Sequence, residues 1–403
     1  MEYGVGVGKP VTFSGVFQYR EFLEVLRVVD ALPPASRVEL DLSQVRFAHP
    51  AGMAPLVALI QSLVPKGWVF EVVLPAEDRL AEYFEKAGWV AGIRGEAPPR
   101  RRKGGSYLPL APYKDPQSLN PLINGIVDHL ASTAVYEPGV IDAIAWSLNE
   151  VADNVLLHAG DGTCGWIQMI EQPKKGLVEF VVADCGRGIT NSLRQRYPDL
   201  KDDREAVMKA IEKGVTRDPA VGQGNGLAGT LRIASAAHGW ANIHSGSGAL
   251  RAMPDKLHCQ VAPHFAGTLV EVTLPTHGPI NVAEALWGHE PLHELEMTYL
   301  QEHGQGVLVR IADETNGFGN RGSAKPVRFK IRNLMVQFPS DVVTIDFEGA
   351  TLISASFADE LIARLVKEIG VTRFFSQVRL VNLSELARRT VDAVTAQRLS
   401  ESA

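Results

Sequence analysis

Short runs of β-branched residues alternate with longer segments of helical period along this chain, and this alternation constrains its fold more than any other feature. Residues 38–42 and 69–74 have the composition of strands, whereas residues 51–63 and 76–87 have the apolar spacing of helices. The pattern predicts a small α/β domain over residues 1–95.

Residues 97–105 interrupt the pattern with prolines, glycines and four consecutive basic residues, which predict a linker over 96–116. The basic run has two interpretations: a contact with the phosphates of a nucleic acid, or a charged segment that is solvated. The second is the commoner behaviour of a short charge run, so the run does not indicate a nucleic-acid partner.

The alternation resumes after the linker and continues toward the C-terminus. It predicts a second domain over 117–276, a connector over 277–305 and a third domain over 306–403. Helices are predicted at 140–157, 325–338, 357–369 and 385–398, and strands at 178–183, 240–244, 267–274, 307–311, 342–347 and 378–381.

The first and third domains have similar patterns of strand, turn and helix. Residues 38–47 align with residues 342–350, and each stretch leads through a short turn into an apolar helix. We therefore expect related domains on both sides of the second domain. Two segments of that second domain stand out: the stretch around 201–205 is long and charged, and 251–265 looks like an insertion before the final strand. Either segment hosts a partner or merely lengthens a loop.

Composition and charge exclude several classes of protein. The chain is 45% hydrophobic and 21% charged, as in soluble globular proteins, and its formal charge of -6 provides no overall field for nucleic acid or anionic membranes. The longest apolar stretch, 51–64, is shorter than the roughly 20 residues of a spanning helix. The first residues lack the features of a secretory signal, and three separated cysteines suit a reducing compartment. We expect a cytoplasmic protein with no membrane partner.

The strongest chemical pattern lies in the second domain. Glu150, Asn154 and His158 follow one another at intervals of four residues, which places them on one face of a helix. An apolar strand then ends at Asp184, followed by Gly186 and Gly188. A buried carboxylate can accept a hydrogen bond from an exocyclic amine, and glycines let the backbone approach a planar ligand.

Two further segments complete the pattern. Gly222, Gly224 and Gly226 precede a predicted helix whose N-terminal amides suit a phosphate chain, and Thr268 follows a glycine at the start of the last strand. Each piece is weak alone, because Asp-x-Gly-x-Gly is most often a turn and a glycine cluster is often a flexible loop. The order of the pieces is more informative than any one of them.

In this order the four motifs resemble the boxes of the GHKL ATPase superfamily, which includes histidine kinases, Hsp90, MutL, type II topoisomerase ATPase subunits and anti-sigma-factor serine kinases. The resemblance spans the second domain. It implies an α/β multidomain protein whose central GHKL (Bergerat) α/β sandwich lies between two small α/β domains. It also implies ATP and Mg²⁺ as cofactors.

The resemblance implies a role for each motif residue. Asn154 would ligate Mg²⁺, and Glu150 would be the base for the attacking water or hydroxyl. Asp184 would accept a hydrogen bond from the adenine amine, and Thr268 would support the hydrogen bonds on the adenine side. Gly186 and Gly188 would make room for the nucleotide. The later glycines, Gly222, Gly224 and Gly226, would close as a lid over its phosphates. His158 lies on the same helix face, either lining the site or standing at the helix end.

The flanking domains resemble the STAS fold, and the third resembles divergent STAS-like relatives through Asp346, Phe347 and residues 353–361. In anti-sigma-factor antagonists of this fold, a GHKL kinase phosphorylates a serine at the start of the helix after the second core strand. The corresponding turn of the first domain, 47–52, has no hydroxyl. The third domain keeps Ser354 and Ser356. Ser356 is either a candidate phospho-acceptor or only the N-cap of the helix at 357–369.

A zinc-protease signature also occurs in the sequence. His289, Glu290 and His293 match H-E-x-x-H, but Pro291 lies in its middle and interrupts the continuous helix that the motif needs. A zinc protease is therefore not favoured.

Two functions remain open at this point. The first is a Mg-ATP-binding regulatory enzyme that hydrolyses ATP or phosphorylates a serine in a partner-switching type of signalling system. The alternative is a nucleotide-gated scaffold with little turnover, although retention of Glu150 favours the enzyme. A histidine kinase is not favoured, because a STAS-like domain precedes the second domain where a two-helix dimerisation segment with a phospho-acceptor histidine would be expected. The implied partners are ATP and a protein bound through the STAS-like domains, with a homodimer as an open alternative.

Overall fold

The computed structural model describes residues 10–99, 107–215, 226–287, 306–315, 317–350 and 352–400. These residues form two compact units. One unit holds those within 1–126, 142–276 and 285–287, and the other holds those within 127–141, 277–284 and 288–403. None of the helices in the described ranges combines the length and apolarity that crossing a bilayer requires.

The N-terminal segment of the first unit alternates strands with helices, in line with the sequence pattern. Its described strands are parallel and adjacent in the order β1-β2-β3. A short 3-10 turn, Val64–Lys66, follows the second helix. The elements are β1 (Val11–Phe17), α1 (Tyr19–Ala31), β2 (Arg37–Ala48), α2 (Pro50–Leu63), β3 (Val69–Val73), α3 (Asp78–Lys86) and α4 (Trp89–Arg94).

The central segment contains an antiparallel sheet, whose strands in the described ranges have the order β4-β5-β6-β8-β7. Its elements are β4 (Tyr107–Tyr113), α5 (Pro116–Thr133), α6 (Val140–His158), β5 (Gly165–Gln172), β6 (Leu177–Asp184), α7 (Gly188–Leu193), α8 (Asp203–Ala210), α9 (Gly226–Ala236), β7 (Trp240–Met253), β8 (Lys256–Pro275) and α10 (Val282–Trp287).

The two segments that stood out in the sequence, 201–205 and 251–265, are regular structure rather than lengthened loops. Residues 251–265 belong to a long hairpin, in which β7 pairs with β8 from Trp240 opposite Thr273 to Met253 opposite Lys256. Within 201–205, the Asp202 side chain caps α8 by accepting a hydrogen bond from the Glu205 N–H at 2.8 Å. The charges that suggested loops are exposed residues of a two-stranded ribbon and of a helix N-terminus, where carboxylates are favourable.

Helix α2 joins the small sheet to the central sheet. Every residue from 50 to 60 is buried, and the helix contacts both β5 and β6. One hydrophobic cluster contains Phe17 of β1, Leu56 of α2 and Val181 of β6. A helix that is apolar all round needs neighbours on all sides. The small sheet and one face of the central sheet provide them.

The second unit repeats the alternation of strand and helix. Its strands in the described ranges are parallel, in the order β11-β10-β9. The helix after β10 contains a π-helical turn, Asp359–Ala363, between two α-helical parts. The elements are β9 (Val307–Arg310), α11 (Ile311–Glu314), α12 (Arg321–Gln337), β10 (Val343–Asp346), α13 (Ala355–Ala358), α14 (Arg364–Ile369), α15 (Val371–Gln377), β11 (Val378–Val381) and α16 (Glu385–Ser400).

A buried ion-pair network crosses the interior of this unit. Arg328 on α12 is 4% exposed and pairs with Glu360 at 3.0 Å and with Glu368. Asp359, also on the π-helical turn, pairs with Arg321 at 2.8 Å and with Arg398 of α16. The network joins α12 and α16 to the π-helical turn.

Candidate functional site

The face of α6 that carries Glu150 and Asn154 is half-buried rather than exposed. Burial raises the pKa of Glu150 above its ordinary value, and the nearby Asp153 carboxylate raises it further. A raised pKa brings a carboxylate closer to the range in which it can both accept and release a proton. Glu150 and Asn154 also provide the oxygen atoms that a hard cation prefers.

Helix α9 begins directly against these two side chains. A Cβ placed on Gly226 would lie 2.6 Å from Oε2 of Glu150 and 3.4 Å from Nδ2 of Asn154. A side chain at residue 226 would have to push the end of the Glu150 side chain aside. The N–H groups of the first turn of α9 are therefore near Glu150 and Asn154, and such groups attract anions such as phosphate.

Asp184 lies at the end of β6, where its side chain is 3% exposed. Its Oδ1 accepts a hydrogen bond from the Gly186 N–H at 2.7 Å, and the Thr268 backbone also bonds to the carboxylate. Burial outweighs both hydrogen bonds and raises the pKa of Asp184 to about 7. This carboxyl therefore changes charge near neutral pH unless a donor binds it.

One row of paired residues crosses the whole central sheet at this level. Tyr113 pairs with Gly165, Gly165 with Asp184, Asp184 with Thr268, and Thr268 with Ser245. Residues opposite each other in a sheet point to the same face. The row therefore collects three polar side chains and the Tyr113 ring on one surface.

Helix α6 lies over this surface. The Tyr113 hydroxyl donates a hydrogen bond to the carbonyl of Ala152 at 3.2 Å, and the Arg187 N–H donates to the carbonyl of Ala159 at 2.8 Å. Asn154 precedes Ala159 by five residues, which is about 8 Å along a helix axis. Asp184 therefore lies beside the C-terminal end of α6, whereas Glu150 and Asn154 lie farther back along the helix. This separation suits the two ends of an elongated ligand.

The glycines after Asp184 have a structural role of their own. A Cβ on Gly186 would lie 2.3 Å from the carbonyl oxygen of Ala159, and Gly188 has a φ of +72° with Ser245 Oγ 2.9 Å from the position of a Cβ. Packing within the protein therefore explains both glycines. Their role in making room for a ligand stays a prediction.

Ser245 is a site residue that the sequence did not indicate. Its hydroxyl donates to the carbonyl of Gly267 at 2.6 Å and accepts from the Ile189 N–H at 2.8 Å, while Thr268 Oγ1 lies 3.3 Å away. It thus holds the turn after Asp184 against the start of the Thr268 segment. A bulge in the β7–β8 pairing follows Ser245, and no sequence signal marks it.

Three other predicted features have different outcomes. His158 is half-buried at the end of α6. Gly222 and Gly224 lie outside the described residues, so the predicted lid is represented only by Gly226. The H-E-x-x-H segment, 289–293, also lies outside the described residues.

The second unit corrects the capping role suggested for Ser356. The helix begins at Ala355, and its N-cap is Ser354, whose hydroxyl accepts a hydrogen bond from the Phe357 N–H at 3.0 Å. Ser356 is the second residue of the helix and is exposed. Its side chain is therefore not the cap. The role of Ser356 as a phospho-acceptor stays a prediction.

Asp346, one of the residues behind the STAS resemblance, lies at the end of β10 and is 5% exposed. Its Oδ1 accepts hydrogen bonds from Asn382 Nδ2 at 2.8 Å and from the Glu348 N–H at 2.9 Å. It therefore holds the turns after β10 and β11 together.

Comparison with known proteins concerns this second unit. Residues 323–386, which run from α12 to the start of α16, match the family described as "STAS-like domain of unknown function (DUF4325)". No curated protein matches the chain. The C-terminal part of this mixed α/β protein therefore contains a STAS-like domain.

Proposed function

We propose that the central segment is a GHKL-type domain that binds Mg-ATP and either hydrolyses it or transfers its γ-phosphoryl group to a serine. The observation that carries the proposal is the position of Gly226 against Glu150 and Asn154. It brings the first residue of a helix, the Glu150 carboxylate and the Asn154 side-chain amide to one place. This combination suits a phosphate chain with its cation.

The residues at the other end of the site fit an adenine. Asp184 is a buried acceptor whose two protein hydrogen bonds do not offset its burial, so a ligand amine would stabilise its charged form. Thr268 and Ser245 lie beside it in the same row. These features support ATP over a ligand that carries phosphate alone.

In this proposal each residue has one task. Asn154 holds Mg²⁺, which would neutralise charge on the phosphates, and Asp184 orients the base. Glu150 accepts the proton of the attacking water or hydroxyl. The STAS-like domain is proposed to provide the surface for a protein partner, and Ser356 is an exposed candidate acceptor for the phosphoryl group.

Calorimetry of the full-length protein with ATP and Mg²⁺ tests the proposal. Asn154→Ala should weaken binding by more than about 10-fold, because it removes a cation ligand. Glu150→Gln should leave binding nearly unchanged and slow turnover by about 100-fold or more. Asn149→Ala is the matched control, since Asn149 is exposed on α6 and donates a hydrogen bond to the carbonyl of Ala145 in its own helix.

A second measurement separates the forms of the proposal. Labelled γ-phosphate that appears on the protein and is lost with Ser356→Ala indicates a serine kinase, whereas release of free phosphate indicates an ATPase. Binding without either product indicates the nucleotide-gated scaffold. No binding of Mg-ATP to the wild-type protein would refute the GHKL assignment.

A further inference from the structure

Three metal-ligating side chains converge on the face of the central sheet opposite Asp184. They are His49, Glu179 and Glu271, and their ligand atoms all lie within 4.8 Å of one another. Glu179 is only 3% exposed and Glu271 only 8%. No residue of this cluster is used in the proposed function.

The fold explains why these residues meet. Glu179 on β6 lies opposite Thr273 on β8, so Glu271, two residues along β8, is its diagonal neighbour on the same face. His49 is the N-cap of α2, the helix that packs on that face. Three separate elements therefore hold the ligand atoms.

Hydrogen bonds from the described residues do not satisfy every acceptor atom of the cluster. Glu179 Oε2 lies 3.2 Å from His49 Nε2 and accepts a long hydrogen bond from Gln172, and Glu271 Oε2 accepts from Asn242 at 2.6 Å. Oε1 of Glu179 is buried and has no hydrogen-bond partner among the described residues. Two buried carboxylates this close repel each other unless a positive charge lies between them.

A cavity of about 500 Å³ reaches the cluster. His49 and Glu271 line it, together with Tyr19, Arg20 and Arg251. The cavity is large enough to hold water molecules or a small anion beside the cluster.

We propose that His49 Nε2, Glu179 and Glu271 bind a divalent transition-metal ion of the Zn²⁺ type, with its remaining coordination positions facing the cavity. One imidazole and two carboxylates form a mixed nitrogen and oxygen set, which suits Zn²⁺ better than Mg²⁺ or Ca²⁺. A dication would neutralise the two carboxylates and provide the missing partner for Oε1 of Glu179.

The geometry needs only a small adjustment. Two ligands at about 2.1 Å from zinc are about 3.4 Å apart in a tetrahedral site, so the most widely spaced ligand atoms would close by up to about 1.4 Å from their spacing of up to 4.8 Å. Metal binding at Nε2 places the ring proton on Nδ1 of His49, at the expense of the long 3.4 Å contact from the Ala51 N–H. The positive charges of Lys175 and Arg251 act on His49 and Glu271 respectively and reduce the attraction of the cluster for a cation.

Calorimetry of the tag-free, nucleotide-free, full-length protein with Zn²⁺ tests the proposal. We expect one ion per chain, with Mg²⁺ and Ca²⁺ binding at least about 100-fold more weakly. Glu179→Gln and Glu271→Gln should each weaken Zn²⁺ binding by more than about 100-fold, since removal of a ligand costs more than loss of its supporting partner. Both substitutions keep side-chain volume, and circular dichroism checks their fold.

Two controls locate the ion. Glu171→Gln changes a buried glutamate that pairs with Val178 and so points to the other face of the sheet, and it should bind Zn²⁺ normally. Asn154→Ala should also bind normally, so failure of the proposed ATP site does not affect this result. The Co²⁺ derivative should show no thiolate charge-transfer band, because the cluster contains no cysteine.

Each other outcome contradicts the proposal. If Zn²⁺ does not bind, the cluster is an ion pair between His49 and the two carboxylates and not a metal site. If Glu179→Gln and Glu271→Gln bind Zn²⁺ as tightly as the wild type, or if a thiolate band appears, the ion occupies another place.

Discussion

Asp184→Asn should stabilise the first unit near and above neutral pH, by an amount that follows the titration of the buried carboxyl group. Burial raises the pKa of Asp184 from the ordinary value of 3.8 to about 7. At about 1.36 kcal/mol for each unit, the ionised carboxylate then costs the folded state about 4 kcal/mol. Asparagine keeps an acceptor oxygen for the Gly186 N–H and carries no charge.

The direction in which pH changes the stability follows from proton binding to Asp184. Between pH 4 and 7 the folded protein retains a proton on Asp184 that the unfolded chain has lost, so stability from this group falls as pH rises. The stability that Asp184 contributes is fully present below pH 3.8 and is lost as pH rises through about 7. The free energy of unfolding of the variant should therefore equal that of the wild type near pH 4 and exceed it by up to about 4 kcal/mol at pH 8.

Tryptophan fluorescence during urea unfolding is a suitable assay, because it reports on the first unit alone. All six tryptophans lie in that unit, at positions 68, 89, 146, 166, 240 and 287. The difference in unfolding free energy between variant and wild type is measured from pH 4 to pH 8 without nucleotide. This subtraction removes the contributions of all other titrating groups.

Asp202→Asn provides a control of opposite sign. Asp202 is a partly exposed N-cap whose pKa is lowered, chiefly by the hydrogen bond from the Glu205 N–H, so its charged form is favoured in the folded protein. Its replacement should cost a little stability above pH 4, where asparagine still caps the helix. A difference for Asp184→Asn that does not change with pH, or a loss of stability at pH 8, would refute the reasoning about burial.

The remaining predictions concern folding contacts. Ser354→Ala should destabilise the second unit by about 1 kcal/mol through loss of the N-cap, while Ser356→Ala should change its stability by less than about 0.5 kcal/mol, both measured by chemical denaturation. Arg328→Ala should cost about 3 kcal/mol in the same assay, because the buried Glu360 would lose its pairing with Arg328 and depend on Arg364, 3.1 Å away, and Arg328→Ala combined with Glu360→Ala should recover part of that loss. Gly188→Ala should destabilise the first unit by more than about 1 kcal/mol, because alanine is strained at φ +72°; an unchanged urea midpoint would show that the turn relaxes.

Local signals explain which elements the sequence predicted. The strand at 342–347 and the helix at 140–157 have composition and periodicity that need no tertiary information, and both exist with similar limits as β10 and α6. The hairpin at 251–265 was missed because its half-exposed strands carry many polar residues, which resemble a loop. The cap at Ser354 was missed because three serine and alanine positions in a row allow several starts of the helix.

The candidate site likewise contains residues that the sequence predicted and residues that it did not. The intervals of four residues between Glu150, Asn154 and His158 predicted a shared helix face. Ser245 and the pairing of Arg328 with Glu360 depend on contacts between residues far apart in sequence. The approach of His49 to Glu179 and Glu271 depends on how α2 packs on the sheet, and no local pattern encodes it.

The burial of α2 between two sheets determines how the first unit responds to a break in its backbone. Cleavage between residues 99 and 107 would leave two fragments that still share the cluster around Leu56 and Val181. We expect the nicked protein to stay associated and to melt in one transition, as a non-covalent complex does. A fragment that starts after residue 106 would instead expose a broad apolar sheet face, which favours aggregation in water.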